Sequence, residues 1–233
     1  MEKVFGQITW DRKGFITLAI LILLAFFVVP ISISNPHIHL VLQTCFSLCL
    51  LFVIYQISKK PWMTYLGIAL MIPFLILDAL STYYDSYYFL IVAYFVYALY
   101  ILYSIFVISF HVFNIPRTNI NLIFGAIVVY LLAGILFGRI FFIIDSVWSP
   151  AFKGIESVNI AKSGLESGYE TEFNLLYFSL TTLATLGEGD IVPISRFSKV
   201  FTILEAMFGQ LFVAIVIAKM ISAWTGPEEQ ESS

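Results

Sequence analysis

Long apolar runs separated by short polar connections organise this chain. Six can be marked, at 14–33, 40–57, 66–80, 88–113, 120–144 and 197–224, most of them near the roughly 20 residues that a spanning helix requires. A bilayer interior offers no water to unpaired backbone groups, so such runs are expected to be helices. The third run is short and holds Pro73 and Asp78; it is expected to tilt little or to end within the headgroups. A different pattern lies between the fifth and sixth runs. Residues 173–184 make about three helical turns, too short to cross, and Thr185-Leu186-Gly187-Glu188-Gly189-Asp190 follows, with Pro193 sending the chain back.

Composition agrees with this pattern: 60% hydrophobic and 12% charged residues with a mean hydropathy of +0.94 indicate an integral membrane protein. Lys3, Arg12 and Lys13 precede the first run, Lys59 and Lys60 follow the second and Arg117 follows the fourth, so those connections and both termini are expected in the cytoplasm. Trp10, Trp62, Trp148 and Trp224, with Tyr83, Tyr84, Tyr87 and Tyr88, fall at run ends, where amphipathic rings favour the interface. The first run lacks the cleavage site of a signal peptide. Cys45 and Cys49, four apart in one apolar run, cannot form a normal disulfide and are expected in core packing.

The polar connection 145–172 is expected outside. It carries Asp145, Glu156, Glu166, Glu170 and Glu172 against Lys153 and Lys162, and reads either as a turret that concentrates cations or as a solvated loop. His37 and His39 flank an outer turn, as an external pH or weak metal site or simply as polar turn residues; His111 is expected at the inner interface.

The loop after residue 184 carries the candidate chemistry. Gly187 and Gly189 alternate with larger residues and let successive peptide units flip in a way that a Cβ resists. Backbone carbonyls can then face one axis, and with the Thr185 hydroxyl they would replace the water shell of a cation. Residues 183–193 resemble the signature loop of the potassium channel superfamily, whose usual form is Thr-x-Gly-Tyr-Gly-Asp, and 204–219 resemble the inner helix of its prokaryotic members. The resemblance covers roughly the last half of the chain. It implies an outer helix at 120–144, a pore helix at 173–184, an inner helix at 197–224, and four copies around one axis. It also implies potassium held by the carbonyls of Thr185, Leu186, Gly187 and Glu188, and a filter that is completed by Gly189. Tyr177 and Phe178 take the places of the bracing aromatics, beside Thr181. Asp190 either holds the filter's outer edge or simply forms the turn.

Glu188 is the departure, since the family has a bracing tyrosine there. Four carboxylates around one axis would repel one another, and related channels with an acid near this position resemble non-selective ones. A selective filter survives if Tyr177 or Thr181 holds the carboxylate. Gly209 lies 24 residues after Thr185 and resembles the family's hinge glycine; a glycine inside a helix signals bending or the close approach of a neighbour. Gln210, Val213 and Ile217 form one stripe that lines a cavity or faces the other way. Glu205 is expected to face pore-helix hydroxyls or a neighbouring subunit. Gly134 and Gly138 form a small-residue packing face.

A voltage sensor would repeat Arg or Lys along the fourth run, which contains neither, so no steep voltage gating is expected. Asp78, Asp85 and Arg139 are expected to form a structural ion pair. The expected architecture is an all-α membrane protein of the cell membrane: a cytoplasmic N-terminus (1–13), four peripheral transmembrane helices (14–113), a linker (114–119), a two-helix pore module with a re-entrant pore helix and filter loop (120–224), and an acidic cytoplasmic tail (225–233), assembled as a homotetramer. After this tail no nucleotide- or calcium-binding regulatory domain is expected. The expected function is passive potassium flow; a non-selective monovalent or calcium-permeable channel and a non-conducting regulatory subunit are the alternatives. No enzyme motif is present, and no cofactor, nucleic acid or soluble ligand is expected beyond the permeant K+, or Na+ or Ca2+. The expected partners are the lipid bilayer and three further copies of the chain.

Overall fold

A computed structural model describes residues 19–20, 35–58, 60–113, 120–155 and 165–224. The expected first span, apart from residues 19 and 20, the 114–119 linker and both terminal segments lie outside the described residues. The described chain is helical except for one two-residue strand pair. Its elements are α1 (Pro36–Ile57), α2 (Pro61–Tyr84), α3 (Tyr87–Phe113), α4 (Ile120–Val147), β1 (Phe152–Lys153), α5 (Leu165–Leu183), β2 (Val192–Pro193) and α6 (Arg196–Trp224). All but α5 are long and apolar enough to cross a membrane.

Prolines set two helix starts. Asn35 and Lys60 are extended, and Pro36 and Pro61 follow in the first turn, where a missing N–H costs nothing and the fixed φ fits the helix. Both helices therefore begin earlier than the hydrophobic runs suggest, and α2, expected to be short, has 24 residues with Pro73 inside it. The earlier start of α1 takes His39 out of the expected turn and into a buried helical position. Asp85 ends α2 in the left-handed conformation (φ 47°), which a short polar side chain tolerates. Its Oδ1 then accepts the Leu165 N–H at the start of α5, at 3.2 Å. The end of α2 thus caps the start of α5.

Helix α3 lies between α2 and α4, α5 packs on α4, and α6 rests on α4 and α5. Small residues let α5 approach α4 as expected. A Cβ on Gly138 would come within 3.1 Å of the Leu176 Cα, and one on Gly134 within 2.6 Å of the Leu180 side chain. On α3 tyrosines recur every third position, and Tyr94, Tyr97 and Tyr100 are almost fully buried. Tyr94 donates to Glu172, Tyr100 to the Ser47 carbonyl at 2.9 Å and Tyr103 to the Met63 carbonyl at 2.6 Å. The hydroxyls of Tyr94 and Tyr100 are thus buried with a partner, while the Tyr97 ring stacks on Phe74 at 4.2 Å. Tyr87, expected at the interface, is also buried, with its hydroxyl 3.0 Å from Ser146 Oγ. Tyr83, Tyr84 and Tyr88 remain exposed as expected. The two cysteines are free, and Cys45 is exposed on the outside of α1 rather than in the core.

Arg139 does not pair with Asp85. Its Nη1 lies 2.5 Å from Glu172 Oε1, and its guanidinium covers the Tyr94 ring at 4.1 Å. Sequence reading put Glu172 in a loop, whereas α5 begins at Leu165, eight residues earlier than expected, and carries Glu172 to its buried face. Removing one partner from such a pair strands a buried charge, which costs about 3–5 kcal/mol. Arg139→Met should lower the thermal midpoint of the detergent-solubilised protein accordingly, and Arg139→Met with Glu172→Leu should recover most of the loss.

Candidate ion pathway

Helix α5 ends inside the protein, so its last carbonyls need donors. Leu180 O accepts the Ala184 N–H at 3.0 Å and Thr182 O accepts that of Thr185 at 2.9 Å. Thr181 O accepts two donors, Leu186 N–H at 2.8 Å and Gly187 N–H at 3.4 Å. Leu183 O accepts the Tyr130 hydroxyl of α4 at 2.8 Å. All four terminal carbonyls are satisfied.

That pattern orients the loop. In a trans peptide the N–H points opposite to the preceding carbonyl. With the N–H groups of Leu186 and Gly187 aimed at α5, the carbonyls of Thr185 and Leu186 point away from it. The backbone also alternates in hand: Thr185 (φ 59°), Gly187 (φ 60°) and Gly189 (φ 81°) are left-handed. Sequence reading gave this role to the two glycines and missed Thr185. A Cβ on Gly187 would meet nothing within 4 Å, so backbone conformation, not space, favours glycine there. Residues 184–190 are exposed on the single chain.

The side chains around the loop divide their tasks. The Tyr177 phenol feels the negative charges of both Asp190 and Glu188. Asp190 Oδ1 also accepts the Ile191 N–H at 2.9 Å. The Thr181 hydroxyl donates to the Phe178 carbonyl at 3.0 Å. Phe178 packs edge-on against Phe141 of α4 and Phe152 of β1, with centroids 5.3 Å from each. Neither Tyr177 nor Thr181 spends its hydroxyl on Glu188. Glu188 borders a cavity of about 360 Å³ between the loop, α5 and α6, together with Thr181, Thr182 and Ala206.

Beyond Asp190 the chain is pinned at Ala151, a residue that sequence reading missed because nothing in its type marks it. Its N–H donates to Asp145 Oδ1 at 2.8 Å, and its carbonyl accepts Ile194 N–H, Ser195 N–H and the Ser198 hydroxyl at 2.9–3.2 Å. β1 pairs antiparallel with β2 beside this anchor.

On α6, Gly209 is buried, and a Cβ there would lie 2.3 Å from the Leu183 carbonyl oxygen. Of the two expectations for this glycine, close approach of a neighbour is the one observed. Glu205 faces a hydroxyl of α5, the expected pore helix, and is bonded to Ser179, whose hydroxyl is also 2.7 Å from the Gly134 carbonyl. Gln210, Val213 and Ile217 are exposed on the single chain. Helix α6 is largely uncovered: 11% of its most apolar stretch is buried within the chain, against 61% for α4.

Residues 120–225 match the model of a family described as an ion channel. Over 58 residues, 24% of this chain, the sequence is 34% identical to two-pore potassium channel 5 of Arabidopsis thaliana. The matched stretch is only 14% of that protein's length. With the run of apolar helices, these similarities fit a multi-pass membrane protein whose last half is similar to ion channels.

A Gly→Ala change inside a helix ordinarily gains about 1 kcal/mol. Gly209→Ala should instead destabilise the protein by about 1–3 kcal/mol, because the added methyl overlaps a backbone oxygen; chemical denaturation in detergent, with Ala206→Gly as the opposite control, reads the sign.

Proposed function

We propose that the chain forms a homotetrameric channel that passes potassium passively, with the carbonyls of Thr185, Leu186, Gly187 and Glu188 replacing the ion's hydration. The observation that carries this reading is the pair of N–H bonds to the Thr181 carbonyl, which turns the preceding carbonyls away from α5. A single strand of carbonyls cannot surround an ion, so the reading requires further copies. The uncovered apolar length of α6 supplies surface for them and for a cavity lined by Gln210, Val213 and Ile217. The two-pore potassium channel relative supports potassium as the permeant ion. Both termini lie in the cytoplasm in this reading, as the Lys and Arg distribution requires. Gating by voltage is absent from it, because α3 carries neither Arg nor Lys.

A second reading, a broader monovalent or calcium-permeable channel, is favoured by one observation. Tyr177 is engaged with Asp190 and Thr181 with Phe178, so Glu188 lacks the side-chain brace that a selective filter would need from either residue.

Reconstituted into liposomes, the full chain should pass K+ down a gradient, and reversal potentials in bilayers rank K+, Na+ and Ca2+. Glu188→Tyr should increase discrimination against Na+ on the order of tenfold, about 1.4 kcal/mol of difference. An unchanged ranking removes the role given to Glu188. A wild-type chain that passes no ion points to the non-conducting subunit instead.

A further inference from the structure

We infer that the peripheral helices hold a proton-binding site that grips the pore helix: His39 of α1, set against Glu172 of α5. His39 is buried and its ring stacks on Tyr169 of α5 at 4.0 Å. Its Nε2 lies 2.7 Å from Gln43 Nε2, 3.3 Å from the Tyr94 hydroxyl and 3.4 Å from Glu172 Oε2.

Charge counting points to a proton as the ligand. Among the described residues the charged and titratable groups that meet the His39–Glu172 pair are Tyr94 of α3, Arg139 of α4 and Tyr169 of α5, with Asp78 of α2 and Tyr97 of α3 acting on Glu172 and Arg139. Two carboxylates face one guanidinium in an apolar surround, so the cluster is neutral only with one added proton. Asp78 is fully buried, and neither of its carboxylate oxygens has a hydrogen-bond partner among the described residues. An imidazole is the side chain that takes up a proton near neutral pH. A proton on Nε2 faces Glu172 Oε2 as acceptor. Gln43 Oε1 is buried and also without a hydrogen-bond partner; turning that amide by half a rotation brings the oxygen to Nε2 in place of the nitrogen. The site is thus furnished for both states of the ring. Access is short, since His39 lies one helical turn from the exposed Asn35.

The proton has a lever. Glu172 is shared between Arg139 of the outer helix, Tyr94 of the peripheral bundle and His39. A charged imidazole competes with Arg139 for that carboxylate and tightens the hold of α1 on α5, the helix whose last carbonyls orient the loop. Regulation of ion flow by this route rests on the channel reading; the proton site itself does not.

The test uses the full chain in liposomes with His37→Gln and His111→Gln, which leave His39 as the single imidazole of the three histidines. Carbon-13 NMR of the labelled ring from about pH 5 to 8 should show one titration, with a midpoint that moves in Glu172→Gln, or in Gln43→Leu should that variant fail to fold. A ring signal independent of pH, or a midpoint indifferent to both substitutions, overturns the site. In the same vesicles K+ flux should change on the order of fivefold or more across the titration, and His39→Gln should abolish that dependence. Flux that ignores pH while the ring titrates overturns the regulation. Titration with no flux at any pH upholds the proton site and rejects the channel reading alone.

Discussion

A helix end buried within the fold must find donors for its last four carbonyls, because no solvent there can replace a missing hydrogen bond. In α5 those donors come from within the chain: the N–H groups of Ala184, Thr185, Leu186 and Gly187, and the Tyr130 hydroxyl. Supplying them fixes the loop. Each N–H drawn toward the helix turns the carbonyl before it the other way, and the alternating hand at Thr185, Gly187 and Gly189 follows the same path. The orientation that could serve a passing cation is thus a by-product of satisfying a helix end. The anchor at Ala151 and the contact of Gly209 with the Leu183 carbonyl hold the two sides of that arrangement.

Five of the six spans were legible because hydrocarbon imposes a simple rule on composition, and the loop was legible because two glycines and a threonine stand in a recognisable order. What could not be read was set by partners distant in sequence. The start of α5 was placed at residue 173 because Glu166, Glu170 and Glu172 look like loop residues. Two of them remain exposed, and Glu166 sits in the first turn, where the helix dipole favours an acid. Glu172 is buried only because Arg139, 33 positions earlier in the chain, is there to receive it. The 3.6-residue period of Leu165, Tyr169, Glu172, Leu175 and Ser179 was present, but the charge concealed it. His39 was misread for a similar reason: the helix began at Pro36, and its partners lie on other helices. Ala151 left no trace in the sequence, since its backbone carries the role.

The peripheral helices among the described residues carry a chemistry different from that of a voltage sensor. Where a sensor helix would present a cation every third residue, α3 presents tyrosines, and its four buried ones each hold a neighbour through the hydroxyl or the ring. Uncharged hydroxyls do no work in an electric field, but they tie α3 to α1, α2 and α5 at fixed positions. The bundle is therefore built for holding more than for sliding. Its buried ionisable groups, His39 and Asp78, lie on the side where it meets α5.

The cap that Asp85 provides to α5 limits how freely the two halves of the fold could be exchanged. A transplant of the 120–224 segment onto a foreign set of peripheral helices would arrive with the Leu165 N–H lacking its acceptor and Glu172 deprived of the Tyr94 hydroxyl. Any chimaera would have to import both contacts or evolve substitutes, so boundary choice in such constructions is dictated by residues lying well before the apparent seam.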